Sequence, residues 1–296
     1  MKKLLLLPFL FFSLWSSAQN HVDLFKINYG ETFKNNFKST QFHTKVKTFE
    51  AEFTLPIPLD SVHALISGID HQNNHLQVFP EAHSSSFYNT TLKLGLASAW
   101  NEKWSSSIVF LPKLASDYQQ FSGKDFYLGI YATFAIKKQD NFKYRFGFYS
   151  STEAYGVFAT PILGWYYKSP NNQLEMNISL PIDGEITYNL NLFSLGIDYV
   201  GISRSFRMHS SENPKLYADL SSLEFSTFLQ TQALHQNILL RAKLGYSTNK
   251  YKIYEEGEKI DLALSAFNFG DHRTVLNPAI QGGVFFKIEA IYRLQL

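Results

Sequence analysis

The sequence contains no cysteine and comparatively few charged residues. None of its 296 residues is Cys, and Asp, Glu, Lys and Arg together make up 18%, against about 25% in ordinary soluble domains. The absence of Cys excludes disulfides, thiolate metal sites, a Cys nucleophile and a lipoprotein anchor, which needs a Cys at the cleavage point. The formal net charge is only +2, so no excess of basic charge indicates a nucleic-acid partner.

Long apolar runs are missing from the chain after its first residues. No later stretch reaches the ~18 uninterrupted apolar residues that a membrane-spanning helix needs. The run from Leu4 to Trp15 is itself too short to span; it follows two lysines and is followed by the small residues Ser16–Ala18. This order is typical of a secretory signal peptide that is cleaved after Ala18. We therefore predict an exported chain whose signal peptide is 1–18.

The sequence is rich in aromatic residues, at 16% of the chain, and its apolar residues recur with a period of two. Near the C-terminal end, Val284, Phe286 and Ile288 alternate with Lys287 and Glu289. Successive side chains of a strand point to opposite faces. One face of each strand is therefore apolar, whereas the other is polar, small or charged. Because helical periodicity is nearly absent, the pattern predicts an all-β chain.

Strand length distinguishes a soluble sandwich from a membrane barrel. Strands of soluble domains usually have about 5–6 residues, whereas a strand that crosses hydrocarbon at a tilt needs about 9–11. Several alternating runs here reach that greater length, and aromatic residues flank short polar turns, as in the interfacial girdle of a membrane barrel. We therefore predict an antiparallel, up-and-down transmembrane β-barrel. The aromatic girdle is expected to contain Trp100, Trp104, Phe142, Tyr144, Trp165 and Tyr167.

The candidate strands number about twelve, an even count like those of single-chain bacterial barrels. An odd number of strands must separate a turn on one rim from a loop on the other, but only two candidate strands precede 70–85 and only two lie between 169–172 and 207–215. About 10 or 14 strands are therefore alternatives.

Region 19–44 keeps no sustained alternation and is expected to be a poorly ordered or periplasmic extension, with the barrel over 45–296. One rim should carry the short turns 101–103, 138–141, 169–172 and 231–235, and the other the longer segments 70–85, 113–123, 207–215 and 250–279. The expected strands are 45–56, 61–69, 86–100, 104–112, 124–137, 142–151, 156–168, 174–181, 190–206, 216–230, 236–249 and 280–296.

The segment Ser17-Ala18-Gln19, the strand–turn rhythm and the terminal stretch Phe285–Leu294 resemble Bacteroidetes-type outer-membrane β-barrel proteins of unknown function. The resemblance covers roughly 40–296, and it carries over no catalytic residue because its motifs are rhythmic. It implies location in the cell outer membrane, with lipid as the obligatory partner and the barrel-insertion machinery as a transient one. Such families often end in an aromatic residue, whereas this chain ends in Leu296.

Candidate chemical groups are few and lie in predicted loops. Asp271-His272 and His209-Ser210-Ser211 place reactive residue types side by side, but adjacency in sequence does not supply catalytic geometry. His71 and His75 have the spacing of helical metal ligands, yet they too lie in an expected loop. We therefore assign no catalytic, metal-binding or cofactor-binding residue, imply no cofactor or nucleic-acid partner, and leave the oligomeric state open.

Charged side chains fall on the face opposite the apolar one. On the lipid face, a basic residue near the midplane costs about 2–4 kcal/mol, so the charges are expected inside, where they either line a water path or pair and close it. A narrow, porin-like solute channel is the first hypothesis. A plugged barrel that serves as a scaffold or adhesin is the alternative, and a hydrolase at the outer rim is a third. The expected lumen-lining residues are Glu50, Glu52, Arg145, Arg241, Lys243, Lys287, Glu289 and Arg293.

Two more specific expectations follow from placing the apolar face toward lipid and the charged face toward the lumen. Leu128, Ile130 and Ile288 should face lipid. If 45–56 is the first strand, it neighbours the last one on closure, and Glu50 or Glu52 should then pair with Lys287 or Arg293.

Overall fold

Fourteen antiparallel strands close into a single barrel. The structure is a computed structural model that describes residues 21–209, 215–233 and 235–295. Neighbours in the barrel are neighbours in the chain, and the first strand pairs with the last to complete the ring. Closure of the ring leaves no edge strand of the kind that an open sheet has. The strands are β1 (His21–Thr32), β2 (Lys47–Pro58), β3 (His63–Leu76), β4 (Ser85–Ala99), β5 (Trp104–Ser116), β6 (Phe126–Gln139), β7 (Phe142–Glu153), β8 (Gly156–Lys168), β9 (Leu174–Leu180), β10 (Asp183–Asn189), β11 (Phe193–Met208), β12 (Leu216–Ala233), β13 (His235–Ser247) and β14 (Gly283–Gln295).

Strand β1 corrects the expected N-terminal extension. It lies within 19–44, yet it pairs with β14 on one side and with β2 on the other. A register shift between Asp23 and Phe25 interrupts its alternation, so the strand is hard to recognise from the sequence. The barrel therefore begins at His21 rather than at 45. The predicted signal peptide, 1–18, lies outside the described residues.

Strands β9 and β10 account for the other departure from twelve strands. The predicted strand 174–181 ends at Leu180, and a second short strand, Asp183–Asn189, returns beside it after a tight turn. With β1, this raises the count from the favoured twelve to fourteen, which was one of the alternatives. Each added strand removes one odd–even mismatch in the turn pattern.

The two rims of the barrel differ in the length of their connections. The rim that holds the start of β1 and the end of β14, here called the terminal rim, has the short connections 59–62, 100–103, 140–141, 169–173 and 190–192. The opposite rim, the loop rim, carries the longer segments 33–46, 77–84, 117–125 and 248–282, as well as two tight turns, 154–155 and 181–182. The predicted division into a short-turn rim and a long-loop rim is confirmed. Strand β3, however, extends to Leu76, so the loop expected at 70–85 begins later.

The barrel wall presents one apolar and one polar face. Leu128 and Ile288 point outward, with 53% and 54% of their surface exposed, whereas Arg241 and Glu289 point inward, each with 4% exposed. Leu128, Ile130 and Ile288 are all exposed on the outer surface, as expected for residues that face lipid. In the described part of the chain, no helix has the length and apolar character needed to cross a membrane.

An apolar cluster fills the lumen at the loop rim. Inward residues of the strands, such as Phe87 and Phe206, pack there against loop residues, such as Phe37 and Val78. A short strand, Lys250–Glu255, pairs with the start of β12 and adds two buried side chains. We call this cluster the plug; it comprises Phe37, Val46, Leu76, Val78, Phe87, Ala115, Tyr127, Phe206, Met208, Ala218, Leu220, Tyr251, Ile253 and Ile280.

A hairpin beside the plug covers the edge of β8 that the short β9 leaves unpaired. Its strands are Leu262–Leu264 and Phe267–Phe269, and Ala263 pairs in parallel with Phe158 of β8. A second apolar cluster lies under the hairpin and contains Tyr155, Phe158, Tyr217, Tyr254, Ile260 and Ala263. The long segment 248–282 is thus packed both into and against the barrel mouth.

Candidate functional site: the barrel lumen

The centre of the lumen holds a network of oppositely charged side chains from β10, β11, β13 and β14. Lys243 Nζ lies 2.5 Å from Asp198 Oδ2 and 2.8 Å from Glu289 Oε1. Arg241 donates two hydrogen bonds to Glu185, at 2.7 and 3.0 Å, and lies 3.6 Å from Glu289. Residues 241 and 243 share the inward face because strand side chains alternate. We call these five residues the central network.

Strands β1–β4 carry a second charged group that is in contact with solvent. Lys93 Nζ lies 2.5 Å from Glu52 Oε1 and 2.7 Å from Asp70 Oδ1, and Lys26 Nζ lies 3.6 Å from Glu52 Oε2. The side chains of Glu52 and Asp70 are 39% and 35% exposed, although they point into the barrel. This wall of the lumen is therefore open to water, whereas most of the central network is packed.

The predicted pairing of Glu50 or Glu52 with Lys287 or Arg293 is wrong. Strand β1 lies between β2 and β14 and supplies the partners instead. Glu50 accepts hydrogen bonds from Asn28 (2.8 Å) and Gln72 (2.7 Å). Arg293 Nε donates to Asp23 Oδ1 of β1 at 2.5 Å, and Lys287 reaches past β13 to Glu224 of β12.

The structure places all eight expected lumen residues on the inward face, but in separate groups. Arg241, Lys243 and Glu289 meet in the central network, whereas Arg145 lies apart on β7 and donates to Ser179 (2.5 Å) and Asn177 (3.2 Å). Sequence reasoning missed the inward charges of β1 and β10 because of the bulge and the short strands. Lys93, by contrast, was detectable, since it stands between outward leucines. The missed inward charges include Asp23, Lys26, Asp70, Lys93, Lys113, Lys137, Lys143, Glu153 and Glu185.

A buried arginine, Arg273, holds segment 248–282 beside the plug through hydrogen bonds and an ion pair. The Arg273 guanidinium lies 4.0 Å above the ring of Tyr254, and its Nη1 lies 3.0 Å from Asp219 Oδ2 and donates to Tyr217 Oη at 3.1 Å. Arg273 Nε lies 2.9 Å from Asp271 Oδ1. This hydrogen bond from Arg273 holds the pKa of Asp271 below its ordinary value. Because the Arg273 side chain is only 1% exposed, it joins the segment firmly to β12.

A second set of polar contacts joins the same segment to β11 and to the loop before β6. Glu256 accepts a hydrogen bond from Lys124 Nζ at 2.7 Å and forms an ion pair with Arg207. These bonds from Lys124 and Arg207 lower the pKa of Glu256 to about 2. His209 Nε2 lies 3.0 Å from Asp125 Oδ1, so this histidine belongs to the same polar cluster.

The other residues considered for chemistry are also held by neighbouring groups. His71 and His75 are strand residues on the outward face of β3, where they contact the hydroxyls of Thr90 and Ser86 at 2.9 Å. Ser210 and Ser211 lie outside the described residues. Within the described ranges, no three His, Asp or Glu side chains are grouped so that they could hold a metal ion.

Aromatic side chains lie on the outer surface near both rims. Trp100 and Trp104 flank the connection 100–103 at the terminal rim, and Trp100 is 61% exposed. The other expected girdle residues, Phe142, Tyr144, Trp165 and Tyr167, lie near the same rim, where the Phe142 and Tyr144 ring centroids are 4.8 Å apart. Sequence reasoning missed a group toward the loop rim, in which Tyr118 packs between Tyr88 (4.8 Å) and Phe121 (5.4 Å).

The chain belongs to a protein family described as a domain of unknown function, DUF6268, whose model matches residues 24–267. A search of curated proteins gives no match.

Solved structures with a similar arrangement include a NanC porin, at 11% identity and a TM-score of 0.37, covering 91% of this chain and 100% of that one. A TodX monoaromatic hydrocarbon channel mutant has 9% identity and a TM-score of 0.38, covering 93% and 91%. OprB of Pseudomonas putida has 7% identity and a TM-score of 0.33, covering 93% and 94%. Similarity at this level does not indicate what this chain binds or transports.

Proposed function

We propose that this member of the family is an outer-membrane β-barrel that acts as a narrow, porin-like solute channel. In the conformation described above, the channel is closed at the loop rim by the plug. Lipid is the obligatory partner of the outer surface, and the general barrel-insertion machinery is a transient one. Export by the N-terminal signal peptide and affiliation with Bacteroidetes-type barrels are parts of this proposal.

The outer surface supports placement in a membrane. Large apolar side chains such as Leu94, Ile108, Phe148 and Leu163 are exposed along the strands, and together they form an apolar band that would be costly in water. Aromatic residues lie at the two ends of this band, as they do at the interfaces of membrane barrels. The polar terminal-rim turns and the charged loop-rim segments lie beyond those aromatic groups.

The observation that carries the channel proposal is the contrast between two levels of the lumen. Glu52 and Asp70 point inward and are more than one-third exposed, whereas Phe206 and Ile253 in the plug are fully buried. This contrast supports a lumen that water enters from the terminal rim and that the plug closes at the loop rim. A barrel of fourteen strands lies between filled eight-strand barrels and open porins of 16–18 strands. Conduction would accordingly be narrow and would require movement of the plug.

One observation favours the alternative, a closed barrel that serves as a scaffold or adhesin. The charges of the central network pair across the lumen, from β13 to β10, β11 and β14, and the Arg241 and Glu289 side chains are almost fully buried. Paired, buried charges of this kind fill a lumen rather than conduct ions. The two functions differ in whether displacing the plug opens a path.

Conductance in planar lipid bilayers tests the proposal. The wild-type barrel should show small, infrequent openings. Arg273→Gln removes the cation that joins segment 248–282 to Tyr217 and Asp219 of β12, so it should increase the open probability. Lys259→Gln removes one exposed positive charge from the same segment and should behave as wild type. Absence of conductance in both wild type and Arg273→Gln, with heat-modifiable migration retained, would contradict the channel and support the closed scaffold.

A further inference from the structure

Three cationic side chains point into the lumen from one hairpin at the terminal rim. Lys137 of β6 and Lys143 of β7 are direct cross-strand partners, so their Cβ atoms are about 5 Å apart. Arg145 follows two residues later on the same face of β7, roughly 7 Å further along the strand. Like charges directly opposite each other destabilise a sheet, so this placement needs a compensating group.

Carboxylates within the described chain do not supply that compensation at Lys143. Lys137 pairs with Asp140 at 2.7 Å, but Asp140 is a turn residue whose side chain is 95% exposed. Lys143 has no ion pair to any described carboxylate, and the charged groups acting on it are Lys137 and Arg145. Lys93 and Lys243, elsewhere in the lumen, each contact two carboxylates.

Arg145 retains unused hydrogen-bonding capacity. A guanidinium carries five N–H donors, and the Nη1 bonds of Arg145 go to two neutral acceptors, Ser179 Oγ and Asn177 Oδ1. Asp183, an exposed residue that pairs with Ser179 across β9 and β10, interacts electrostatically with Arg145, but no ion pair joins the two described side chains. The fork of Arg145 can therefore bind a carboxylate or phosphate group in a bidentate manner.

We propose that Lys137, Lys143 and Arg145 form a binding site for a small soluble oxyanion, a carboxylate or phosphate compound, at the terminal-rim entrance of the lumen. The site rests on the proposed function only in requiring that water reach the lumen from the terminal rim. It does not require conduction. A bound oxyanion would offset the repulsion between the two lysines, and the cationic entrance would raise the local concentration of anionic solutes.

Isothermal titration calorimetry on the full-length refolded barrel tests the site, with citrate and inorganic phosphate as probes at low salt in a zwitterionic detergent. The wild type should bind at least one probe at a single site. Lys143→Gln should weaken binding about tenfold, which corresponds to one lost charge-assisted contact. Lys138→Gln is the matched control, because Lys138 is an exposed neighbour outside the inward set, and its affinity should stay within about twofold of wild type.

The proposal is overturned if neither probe binds, or if Lys138→Gln weakens binding as much as Lys143→Gln. It is also overturned if micelles containing phosphatidylglycerol bind while citrate and phosphate do not, because the cations would then serve a lipid headgroup. Arg145→Gln provides a second variant if Lys143→Gln does not refold, and it should weaken binding as well. A barrel that binds citrate but never conducts would refute the channel and leave the site intact, whereas a conducting barrel without binding would refute only the site.

Discussion

Lys287 Nζ lies 2.5 Å from Glu224 Oε2, although β13 separates the strands that carry these two residues. Both side chains are only about a tenth exposed, so each charge depends on the other for compensation. Removing one partner from a buried pair leaves an uncompensated charge, which costs far more than the pair itself contributes. The contact therefore joins β12 and β14 across the inner wall.

We expect Lys287→Glu to lower the free energy of unfolding by about 3 kcal/mol, because two carboxylates would then face each other in a poorly hydrated part of the lumen. The exchanged pair, Lys287→Glu with Glu224→Lys, should recover most of that loss. Equilibrium unfolding in urea, in lipid vesicles, measures both. A single variant as stable as wild type would show that these residues do not form the pair.

Substitutions on the outer face should impair membrane insertion. Leu128→Arg, Ile130→Arg or Ile288→Arg places a charge in the hydrocarbon layer, at a cost of about 2–4 kcal/mol near the midplane. Leu192→Arg is the control, since Leu192 lies in the connection 190–192 at the terminal rim and is highly exposed. The folded fraction in liposomes, followed by heat-modifiable migration, should fall for the first three and not for the fourth. Equal folding of all four would refute the assigned facing.

The girdle residues should tolerate an amphipathic ring better than a charge. Trp100 is highly exposed, and its indole Nε1 donates to Ser106 Oγ at 2.8 Å. Interfacial positions favour Trp and Tyr, so Trp100→Tyr should fold nearly as well as wild type, whereas Trp100→Glu should fold less efficiently. The same order is expected at Phe142 and Trp165. Folding yields into vesicles that do not distinguish Tyr from Glu would place these residues outside the interface.

Acid should loosen the segment 248–282 through Glu256. Hydrogen bonds from Lys124 and Arg207 lower its pKa from the ordinary 4.5 to about 2. Because the folded pKa is depressed, the stabilisation is fully present above pH 4.5 and is lost as the pH falls toward 2. Limited proteolysis of the segment by pepsin should accelerate across this window. Glu256→Gln should lack this acid-dependent step; an unchanged pH profile in that variant would rule out Glu256 as its origin.

The wall of the barrel was largely predictable, because alternation is a local property of the sequence. In β14 every second residue from Val284 to Tyr292 faces outward, as the pattern predicted. The prediction failed where local geometry breaks the period. The register shift at Asp23 concealed β1, and β9 and β10 are each shorter than the usual length of a membrane strand.

The interior of the barrel was less predictable than its wall. Inward facing of Lys287 and Glu289 followed from alternation, but their partners depend on which strands are neighbours. An error of one strand at the seam therefore changed the partners of Glu50 and Arg293. The plug was not foreseen at all, because Phe37, Phe87 and Ile253 come from distant parts of the chain. Their contact is created only when the barrel closes.

We expect the lumen to be open to water from the terminal rim and closed at the plug. Since the chain has no cysteine, a single introduced thiol reports on its own position. Thr54 points inward on β2 and accepts a hydrogen bond from Lys93 Nζ at 3.0 Å, whereas Ala115 is fully buried in the plug. We would therefore compare Thr54→Cys with Ala115→Cys.

The measurement is the rate at which a small, charged thiol reagent modifies each cysteine in the folded barrel. Thiol reactivity requires access of the reagent, so Thr54→Cys should react at least about tenfold faster than Ala115→Cys. Equal rates at the two positions, or faster reaction at Ala115→Cys, would contradict a lumen that is open at the terminal rim and closed at the loop rim.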